Sequence, residues 1–464
     1  MPMTAIILAA GEGTRMKSRH PKVMHKLLDR PLVSWVIRAA RGAGAERVVV
    51  VVGHGADEVR AHLAGEKDVE CVEQTERLGT GHAVRVALEE ACVNEGAVLV
   101  LNGDGPLVES ETLRRLAKPV ADDGAAEAIL TWTPADPFGY GRLEFDSEGD
   151  VTRIIEQKDC TPEQAASLTA CNPGFYAFDG AKLAAHIGEL STANVQHEYY
   201  VTDMVEILRG HGERVAAVRT EDADELLGVN SRAQLAQLTA IARDRINARL
   251  MDEGVTIVDP ATTWVGPDVT VGRDTVLLPM TMLWGSTTIG NECVVGPNTR
   301  LTDCTVGSRV SLEETVGVDV TIDDDVTCGP RCYLRGGAHV LRGAHVGTHV
   351  EIKNSVIGEG SKVPHLSYIG DCTMGSGVNI GGGSITCNYD GVHKNRTVIG
   401  DDVFVGSDTM MVAPVTIGDG ALVGASSCVT KDVPADALYL ERAEQRIVEG
   451  YAARRLERLK RDEA

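Results

Sequence analysis

Residues 265–301 read VGPDVTVGRDTVLLPMTMLWGSTTIGNECVVGPNTRL. Within this stretch an aliphatic residue recurs at every sixth position: Val265, Val271, Leu277, Leu283, Ile289, Val295 and Leu301. A six-residue period fits neither an α-helix nor a flat β-sheet, but it is typical of a β-helix in which each hexapeptide forms one short strand and a turn. We therefore predict a parallel β-helix whose narrow core receives one aliphatic side chain from each strand.

The repeat continues, with slips of register, almost to the end of the chain. It returns at Leu334 and runs through residues 357–369 and 399–423. The spacing opens between residues 380 and 399, so we expect residues 382–396 to loop out of the coil. Insertions in such repeats tend to lie on the binding face. After Pro434 the repeat is lost, and the mixed charge predicts a helix over residues 444–461.

The first half of the chain has a different pattern. Continuous apolar runs, as at residues 5–9, 47–52 and 97–101, alternate with helix-like segments. Such runs are typical of a parallel sheet that is covered by helices on both faces. We predict a doubly wound, Rossmann-like α/β domain over residues 1–229, a linker helix over 230–250 and the β-helix domain with its tail over 251–464.

The composition excludes several classes of partner. The formal net charge is -22, which disfavours nucleic acid because its binding requires clustered lysine and arginine. No apolar window is long enough for a membrane span, and no basic region precedes the apolar residues 5–10. The 11 cysteines form no CxxC pair. We therefore expect a cytoplasmic protein with reduced thiols and no membrane or nucleic-acid partner.

A glycine-containing loop follows the first predicted strand. Residues 8–16 read LAAGEGTRM, and residues 21–27 read PKVMHKL. Backbone N–H groups in such a loop can surround a phosphate, and Arg15 and Lys22 can supply positive charge. The two strings together resemble the sugar-1-phosphate nucleotidyltransferases. The segment LGTGHA, residues 78–83, is similar to the part of that family that recognises uracil.

The resemblance implies a site for UDP-N-acetylglucosamine and for Mg²⁺. The metal would be held by the Asp104 carboxylate and the Asn230 amide oxygen, since Mg²⁺ prefers hard oxygen ligands. The implied nucleotide- and sugar-binding residues are Leu8, Ala9, Ala10, Gly11, Arg15, Lys22, Gln74, Gly79, Thr80, Asn102, Gly103, Asp104, Gly141, Glu156, Asn172 and Asn230.

Together with the repeat, the resemblance covers the whole chain. It is to the bacterial bifunctional family of N-acetylglucosamine-1-phosphate uridyltransferases and glucosamine-1-phosphate acetyltransferases. This family makes UDP-N-acetylglucosamine for cell-wall and lipopolysaccharide precursors, with a left-handed β-helix that forms a homotrimer. The resemblance therefore implies UTP, N-acetylglucosamine-1-phosphate, glucosamine-1-phosphate and acetyl-CoA as substrates.

The residues implied for acetyl transfer lie in the repeat. The string KVPHLSYIG, residues 362–370, resembles the family's motif around its general base, so the resemblance implies His365 in that role, for which histidine is chemically suited. The implied amino-sugar phosphate site is Arg335, Lys353, Tyr368 and Asn379. The implied acetyl-CoA residues are Gly382, Asn388, Tyr389, Ser407, Ala425 and Arg442. The nearby His345 and His349 are interpreted as structural.

Several residues depart from the family pattern. Gly105 replaces a small aliphatic residue, Gly336 a proline and Gly382 an alanine, while Glu12 adds negative charge beside the glycine loop. Asn172 is followed by proline. Two alternatives stay open: a nucleotidyltransferase whose β-helix is only an oligomerisation scaffold, and a nucleotide-sugar-binding regulator without catalysis. A scaffold would need neither His365 nor Arg442, and a regulator would not need Asp104.

Overall fold

The computed structural model describes residues 1–134, 136–442 and 444–462. The chain forms two compact units, Met1–Ile246 and Asn247–Ala464. None of the described helices combines the length and the apolar character that a membrane crossing requires.

The first unit contains a seven-stranded mixed sheet. Its strand order is β12-β7-β11-β6-β1-β4-β5. β11 runs antiparallel to β6 and β7, whereas the other neighbours are parallel. The strands of this sheet, in the order in which they are paired, are β12 (Val215–Arg219), β7 (Glu127–Thr131), β11 (Tyr176–Asp179), β6 (Ala97–Asn102), β1 (Met3–Ala9), β4 (Arg47–Val52) and β5 (Val69–Glu73).

Two small sheets complete the strands of this unit. β2 (Lys26–Leu27) pairs with β3 (Arg30–Pro31), and β8 (Gly141–Phe145) lies between β9 (Val151–Ile155) and β10 (Cys171–Asn172). The helices of the unit are α1 (Leu32–Ala43), α2 (Ala56–Leu63), α3 (Thr80–Glu90), α4 (Ser110–Asp123), α5 (Pro162–Ser167), α6 (Gly180–His186) and α7 (Met204–Gly210).

Helices cover both faces of the seven-stranded sheet, as the apolar strands require. One buried cluster joins the sheet to α1, α2 and α4. The other joins the opposite face to α3, α6 and α7. The doubly wound prediction is confirmed, with one antiparallel strand that the apolar pattern alone does not reveal.

The strand order creates a crevice in this sheet. From β1 the chain proceeds outward through β4 and β5 and then returns to the other side of β1 as β6. In doubly wound sheets, ligands bind at the carboxyl ends of the strands where the direction of winding reverses. The residues after β1 and β6, beginning at Ala10 and Gly103, lie at that point.

The predicted linker helix is α8, Arg232–Asp252. Ser231 caps its first turn, because the Ser231 hydroxyl accepts a hydrogen bond of 3.2 Å from the Gln234 N–H. Gly254 follows the last turn with φ 99°, a conformation that glycine adopts without strain.

The second unit is a left-handed β-helix of three parallel sheets. The first sheet comprises Thr256–Ile257, Val276–Leu277, Val294–Val295, Ser311–Leu312, Thr327–Cys328, His345–Thr348, Lys362–His365, Asn379–Ile380, Phe404–Val405, Leu422–Val423 and Leu438–Tyr439. The second comprises Trp264–Val265, Met282–Trp284, Arg300–Thr302, Val316–Val318, Tyr333–Arg335, Glu351–Lys353, Tyr368–Gly370, Ile385–Cys387, Met410–Val412 and Cys428–Val429. The third comprises Thr270–Val271, Thr288–Ile289, Thr305–Val306, Val320–Ile322, Ala338–Val340, Val356–Ile357, Cys372–Met374, Thr397–Ile399 and Val415–Ile417.

The predicted aliphatic positions form the core of the β-helix. Leu277 pairs with Val295, and both side chains are fully buried. Small side chains two residues before each aliphatic are buried as well. The Thr281 hydroxyl donates to the carbonyl of Leu278 at 2.7 Å, so the corner satisfies its buried polar group. These small buried residues form a second period of six, which the sequence prediction did not include.

Two predicted segments differ from the structure. The predicted loop over 382–396 is shorter, because Ile385–Cys387 forms a strand that pairs with Tyr368 and with residues 410–412. The loop begins at Asn388. The predicted helix over 444–461 begins only at Tyr451 and forms α9, Tyr451–Asp462. Gly450 precedes it with φ 66°.

Candidate functional site

The glycine loop after β1 positions two cations. Gly13 adopts φ 63°, and a Cβ atom there would lie 2.7 Å from the Cβ of Lys22. Glycine at this position therefore lets the chain carrying Lys22 pass close to the loop. Arg15 lies in the short helix Thr14–Met16, directly after the glycines.

Four side chains meet beyond the ends of β1 and β6. Lys22 Nζ pairs with Asp104 Oδ2 and lies 3.3 Å from Asn230 Oδ1. Arg15 Nη2 donates to the same Asn230 oxygen at 2.8 Å. Asp104 and Asn230 are distant in sequence, and the hydrogen bond of 2.9 Å from Val229 N–H to the Asp104 carbonyl holds their segments together. The Asp104 carboxylate and the Asn230 amide oxygen thus lie beside the cationic groups of Lys22 and Arg15 at one point of the cleft.

Gln74 and Gly79 form one wall of the cleft. Gln74 is buried, and its Nε2 donates to the Gly79 carbonyl at 3.0 Å. Gly79 has φ 108°, and a Cβ atom there would lie 2.4 Å from the Tyr199 carbonyl oxygen. Thr80 then accepts a hydrogen bond of 3.1 Å from the Val201 N–H. The segment 198–202 therefore supports this wall, which sequence reasoning missed.

Another part of the cleft carries polar side chains at the sheet of β8, β9 and β10, where Glu156 follows β9 and Asn172 lies in β10. Burial raises the pKa of Glu156, and the hydrogen bond from Thr202 opposes that rise in part. Asn172 is buried and donates to the Tyr176 hydroxyl at 2.7 Å. Its Oδ1 accepts a hydrogen bond from Gly174 N–H at 3.0 Å, so the proline after Asn172 leaves the turn intact.

Three adjoining cavities make up the cleft, and Asn102 lines each of them. The loop cavity of about 350 Å³ is lined by Leu8, Ala9, Ala10, Gly11, Lys22, Gln74, Gly79, Thr80, Asn102 and Asp104, among others. The aromatic cavity of about 300 Å³ is lined by Arg15, Asp104, Gly105, Phe138, Tyr140, Phe175 and Asn230, among others. The acidic cavity of about 190 Å³ is lined by Gly141, Glu156, Asn172 and Thr202, among others.

The structure therefore brings the predicted residues of the first half together around one cleft. Gly103 lies at its floor, where its N–H donates to the Leu8 carbonyl at 3.0 Å. Sequence reasoning missed Phe138 and Phe175, which lie in loops, and Thr202, which lies in the short helix Val201–Asp203. The periodicity of the sequence does not predict such residues, because they reach the cleft through contacts with residues that are distant in sequence.

Glu12, a departure from the family pattern, has a partner. Its carboxylate forms an ion pair of 2.8 Å with Arg77, and both side chains are about half exposed. Arg77 lines the loop cavity. The negative charge beside the glycine loop is therefore balanced by a cation from the facing wall of that cavity.

Four predicted residues of the β-helix form a column on one corner. His365, Gly382, Ser407 and Ala425 each lie two residues after a buried aliphatic side chain of the first sheet. The register pairs Asn379 with Lys362 and with Phe404, and Val405 with Val423. A Cβ atom on Gly382 would lie 3.3 Å from the Cβ of His365. The His365 side chain is exposed, and its carbonyl accepts a hydrogen bond of 2.7 Å from the Ser367 hydroxyl.

A polar cluster lies on the second sheet beside this corner. Asp371 accepts hydrogen bonds from Asn354 at 2.6 Å and from Asn388 at 2.5 Å. Burial alone would raise the pKa of Asp371, but these hydrogen bonds and the charge of Lys353 lower it overall. Asn388 also donates to the Tyr368 hydroxyl at 3.3 Å. Asn388 thereby links Tyr368 to the carboxylate.

The remaining predicted residues lie near these two groups. Arg335 pairs with Lys353 in the register and forms an ion pair of 2.7 Å with Glu351. Asn379 lies on the first sheet, and the exposed Tyr389 follows Asn388 in the loop. Arg442 Nε donates to the Ala425 carbonyl at 3.3 Å, which places it at the end of the column.

Comparison with known proteins supports both halves. Residues 5–158 match the MobA-like NTP transferase domain, and residues 396–431 match six repeats of the bacterial transferase hexapeptide. The chain is 47% identical to the bifunctional protein GlmU of Trichlorobacter lovleyi, over 95% of this chain and 96% of the relative. It is 48% identical to that of Streptomyces avermitilis, over 98% and 95%.

These identities extend over both units rather than over one of them. Each half also contains the repeat or the cleft that its activity requires. The chain therefore belongs to the GlmU family of bifunctional proteins and is, as its sequence predicts, both a uridyltransferase and an acetyltransferase.

Proposed function

We propose that the enzyme makes UDP-N-acetylglucosamine in two steps at the two groups of residues described above. Acetyl-CoA first acetylates glucosamine-1-phosphate on the β-helix. UTP then reacts with N-acetylglucosamine-1-phosphate in the α/β cleft and releases pyrophosphate. The observation that carries the proposal is the meeting of Arg15, Lys22, Asp104 and Asn230 at the strand ends. We assign uridylyl transfer to residues 1–229, the linker to 230–250 and acetyl transfer to 251–464.

In the cleft, the loop cavity and the acidic cavity suit different parts of the substrates. The loop cavity suits the nucleotide, because Leu8–Gly11 present backbone groups and Gln74 with Gly79 offers an edge for a base. The acidic cavity suits the sugar, because Glu156 and Asn172 can accept and donate hydrogen bonds to hydroxyl and amide groups.

The donors at the strand ends fit Mg²⁺. The Asp104 carboxylate and the Asn230 amide oxygen are hard ligands that converge where Lys22 and Arg15 already supply positive charge. Asp104 and Asn230 would hold the ion, which would neutralise phosphate charge during the reaction. Because the Asp104 and Asn230 oxygens already contact Lys22 and Arg15, this point of the cleft stabilises positive charge.

The chain's own residues address the repulsion between two anionic substrates. A phosphate oxygen of the sugar phosphate forms a bond to the α-phosphorus of UTP, while the bond from that phosphorus to the bridging oxygen breaks and pyrophosphate leaves. Lys22 and Arg15 neutralise the phosphates, and the walls keep the nucleophile in line. Positioning and charge neutralisation dominate such chemistry. Lys22 and Arg15 therefore make the largest side-chain contribution to the rate of uridylyl transfer.

On the β-helix, His365 accepts the proton of the substrate ammonium group. The free amine forms a bond to the thioester carbonyl carbon, the carbon–sulfur bond breaks, and coenzyme A leaves as the thiol after taking up a proton. Arg335, Lys353 and Tyr368 hold the sugar phosphate, with Asn379 nearby. The column of Gly382, Ser407 and Ala425, together with Asn388, Tyr389 and Arg442, binds acetyl-CoA.

We further propose that the enzyme works as a cytoplasmic homotrimer, as the family resemblance implies. Exposed apolar side chains near the His365 corner, including Leu366, Tyr389 and Phe404, are consistent with a surface covered by another subunit.

Product analysis tests the two-step scheme. The chain is incubated with UTP, Mg²⁺, acetyl-CoA and glucosamine-1-phosphate, and the nucleotides are separated by chromatography. We expect UDP-N-acetylglucosamine, and none of it when acetyl-CoA is omitted. Formation of UDP-glucosamine at a comparable rate without acetyl-CoA would contradict the proposed order.

Gly105 and Phe175 both line the aromatic cavity and lie close to each other. A Cβ atom on Gly105 would lie 2.6 Å from the Phe175 ring, which is buried. We expect Gly105→Ala to displace the ring and to raise the KM for N-acetylglucosamine-1-phosphate about tenfold, because overpacking costs about 1–3 kcal/mol. The double variant Gly105→Ala/Phe175→Leu should restore the KM. Unchanged steady-state kinetics in the single variant would show that the ring does not shape this cavity.

Gly382 can be tested in the same way on the β-helix. The φ of Gly382 lies outside the left-handed region, and an added Cβ would lie 3.3 Å from the Cβ of the exposed His365, a tight contact that a shift of a few tenths of an ångström relieves. We expect Gly382→Ala to raise the free energy of unfolding by about 0.4–1 kcal/mol, because alanine restricts the unfolded chain. Denaturant unfolding would measure this, and acetyl transfer should stay within about twofold. A large loss of acetyl transfer would show that the glycine is required.

A further inference from the structure

Two histidines and a glutamate meet at the ends of α6 and α7. His186 is the last residue of α6, Glu189 follows in the short helix Ile187–Glu189, and His211 follows α7 directly. None of the three lines the cleft cavities described above. Among the described residues, this is the group of His, Cys, Asp and Glu side chains whose donor atoms all lie within 4.8 Å of one another.

The ligand atoms of the three side chains lie close together. Glu189 Oε1 lies 2.7 Å from His186 Nδ1, and Glu189 Oε2 lies 3.0 Å from His211 Nε2. The two imidazole rings are 4.0 Å apart between centroids and tilted by 31°. The two rings and the carboxylate therefore form one contiguous group of possible metal ligands.

The backbone that carries these side chains is anchored in the core. Leu183, Ile187, Leu190 and Leu208 lie within a few residues of them in sequence, and all four are buried in the cluster beneath the sheet. His211 N–H donates to the carbonyls of Ile207 and Leu208, at 3.2 Å and 3.1 Å. The cluster is therefore held by packed helix ends rather than by a free loop, which favours a pre-organised site.

We propose that His186, Glu189 and His211 bind a divalent transition-metal ion, with Zn²⁺ as the preferred ion. Two imidazoles and one carboxylate form a known zinc donor set, and a water molecule completes the tetrahedron. Imidazole ligands exclude Mg²⁺ as the preferred ion, because Mg²⁺ selects oxygen donors.

A metal ion at this position would join the end of α6 to the end of α7. The site would therefore be structural, because it lies apart from the cleft and reaches no proposed substrate residue. Its effect should appear in metal affinity and in thermal stability rather than in the rate of either reaction. This separation makes the site testable without reference to the two activities.

The test uses the full chain, treated with EDTA, dialysed and kept reduced. Zn²⁺ is titrated by calorimetry into the wild type and into the variants His186→Asn, His211→Asn and Glu189→Gln. His62→Asn serves as the control, because His62 is an exposed histidine on α2 that hydrogen-bonds to Ser34. Co²⁺ replaces Zn²⁺ in a parallel titration, since its visible absorption reports tetrahedral coordination.

We expect each site variant to lose one equivalent of bound Zn²⁺ that the wild type and His62→Asn retain. Zn²⁺ at about a hundred times its Kd should raise the Tm of the wild type by roughly 5–10 °C and leave the site variants unchanged. Circular dichroism and pyrophosphate release establish that each variant is folded. Equal Zn²⁺ stoichiometry in the folded variants and the wild type, or no Zn²⁺ binding by the wild type, would overturn the proposal.

Discussion

Asp104→Ala is expected to reduce uridylyl transfer about a thousand-fold while acetyl transfer stays within twofold of the wild type. The change removes a proposed metal ligand and leaves Lys22 without the carboxylate with which it pairs. Removing one group that stabilises developing charge typically costs a factor of about 10²–10³, and loss of a metal ligand adds to this. Pyrophosphate release from UTP and N-acetylglucosamine-1-phosphate measures the effect.

The matched control for this variant is Asp57→Ala, an exposed carboxylate on α2 of the same unit. It should retain the wild-type rate of pyrophosphate release. If Asp104→Ala reduced pyrophosphate release less than tenfold in a folded chain, Asp104 would be no more than a capping residue of its turn. If the same variant also stopped acetyl transfer, the two activities would not reside at separate groups of residues.

His365→Ala should produce the converse result. We expect acetyl transfer to fall by about 10²–10⁴, because that is the usual contribution of a positioned general base. Uridylyl transfer should be unchanged. Release of the coenzyme A thiol, measured with glucosamine-1-phosphate, follows the reaction.

His349→Asn is the control for this second variant. His349 is exposed and adopts φ 55°, a conformation that asparagine tolerates. Thr348, its neighbour in sequence, pairs with His365 in the register, so the control tests a histidine from the adjoining coil. A wild-type rate in His365→Ala, or an equal loss in His349→Asn, would contradict the role of His365 as the base.

The architecture was largely predictable, because both periodicities arise from burial. In a narrow coil, the aliphatic side chain at every sixth position, such as Leu283, can be buried only by pointing into the core. The apolar runs 47–52 and 97–101 likewise require helices on both faces of their sheet. The antiparallel β11 was not predictable in this way, because burial does not encode strand direction. α9 begins only after Gly450, whose positive φ is a local backbone feature that charge patterning does not reveal.

The cleft was predictable to the extent that its residues belong to local motifs. The loop 8–16 and the strand end at Asp104 are contiguous strings, and they lie where the sheet topology places a binding crevice. Phe175 and Thr202 reach the cleft through long-range contacts, and His186 meets His211 only because α6 packs beside α7. The ion pair between Glu12 and Arg77 also joins residues that are distant in sequence. Such contacts need the fold before they can be recognised.

The central claim is that one chain performs both reactions. It is tested most directly by measuring two products from a single preparation of the full chain. Thiol release is followed with acetyl-CoA and glucosamine-1-phosphate, and pyrophosphate release with UTP, Mg²⁺ and N-acetylglucosamine-1-phosphate. We predict that both products form. Pyrophosphate without thiol would contradict the claim, reduce the β-helix to a scaffold, and direct attention first to Gly336 and Gly382.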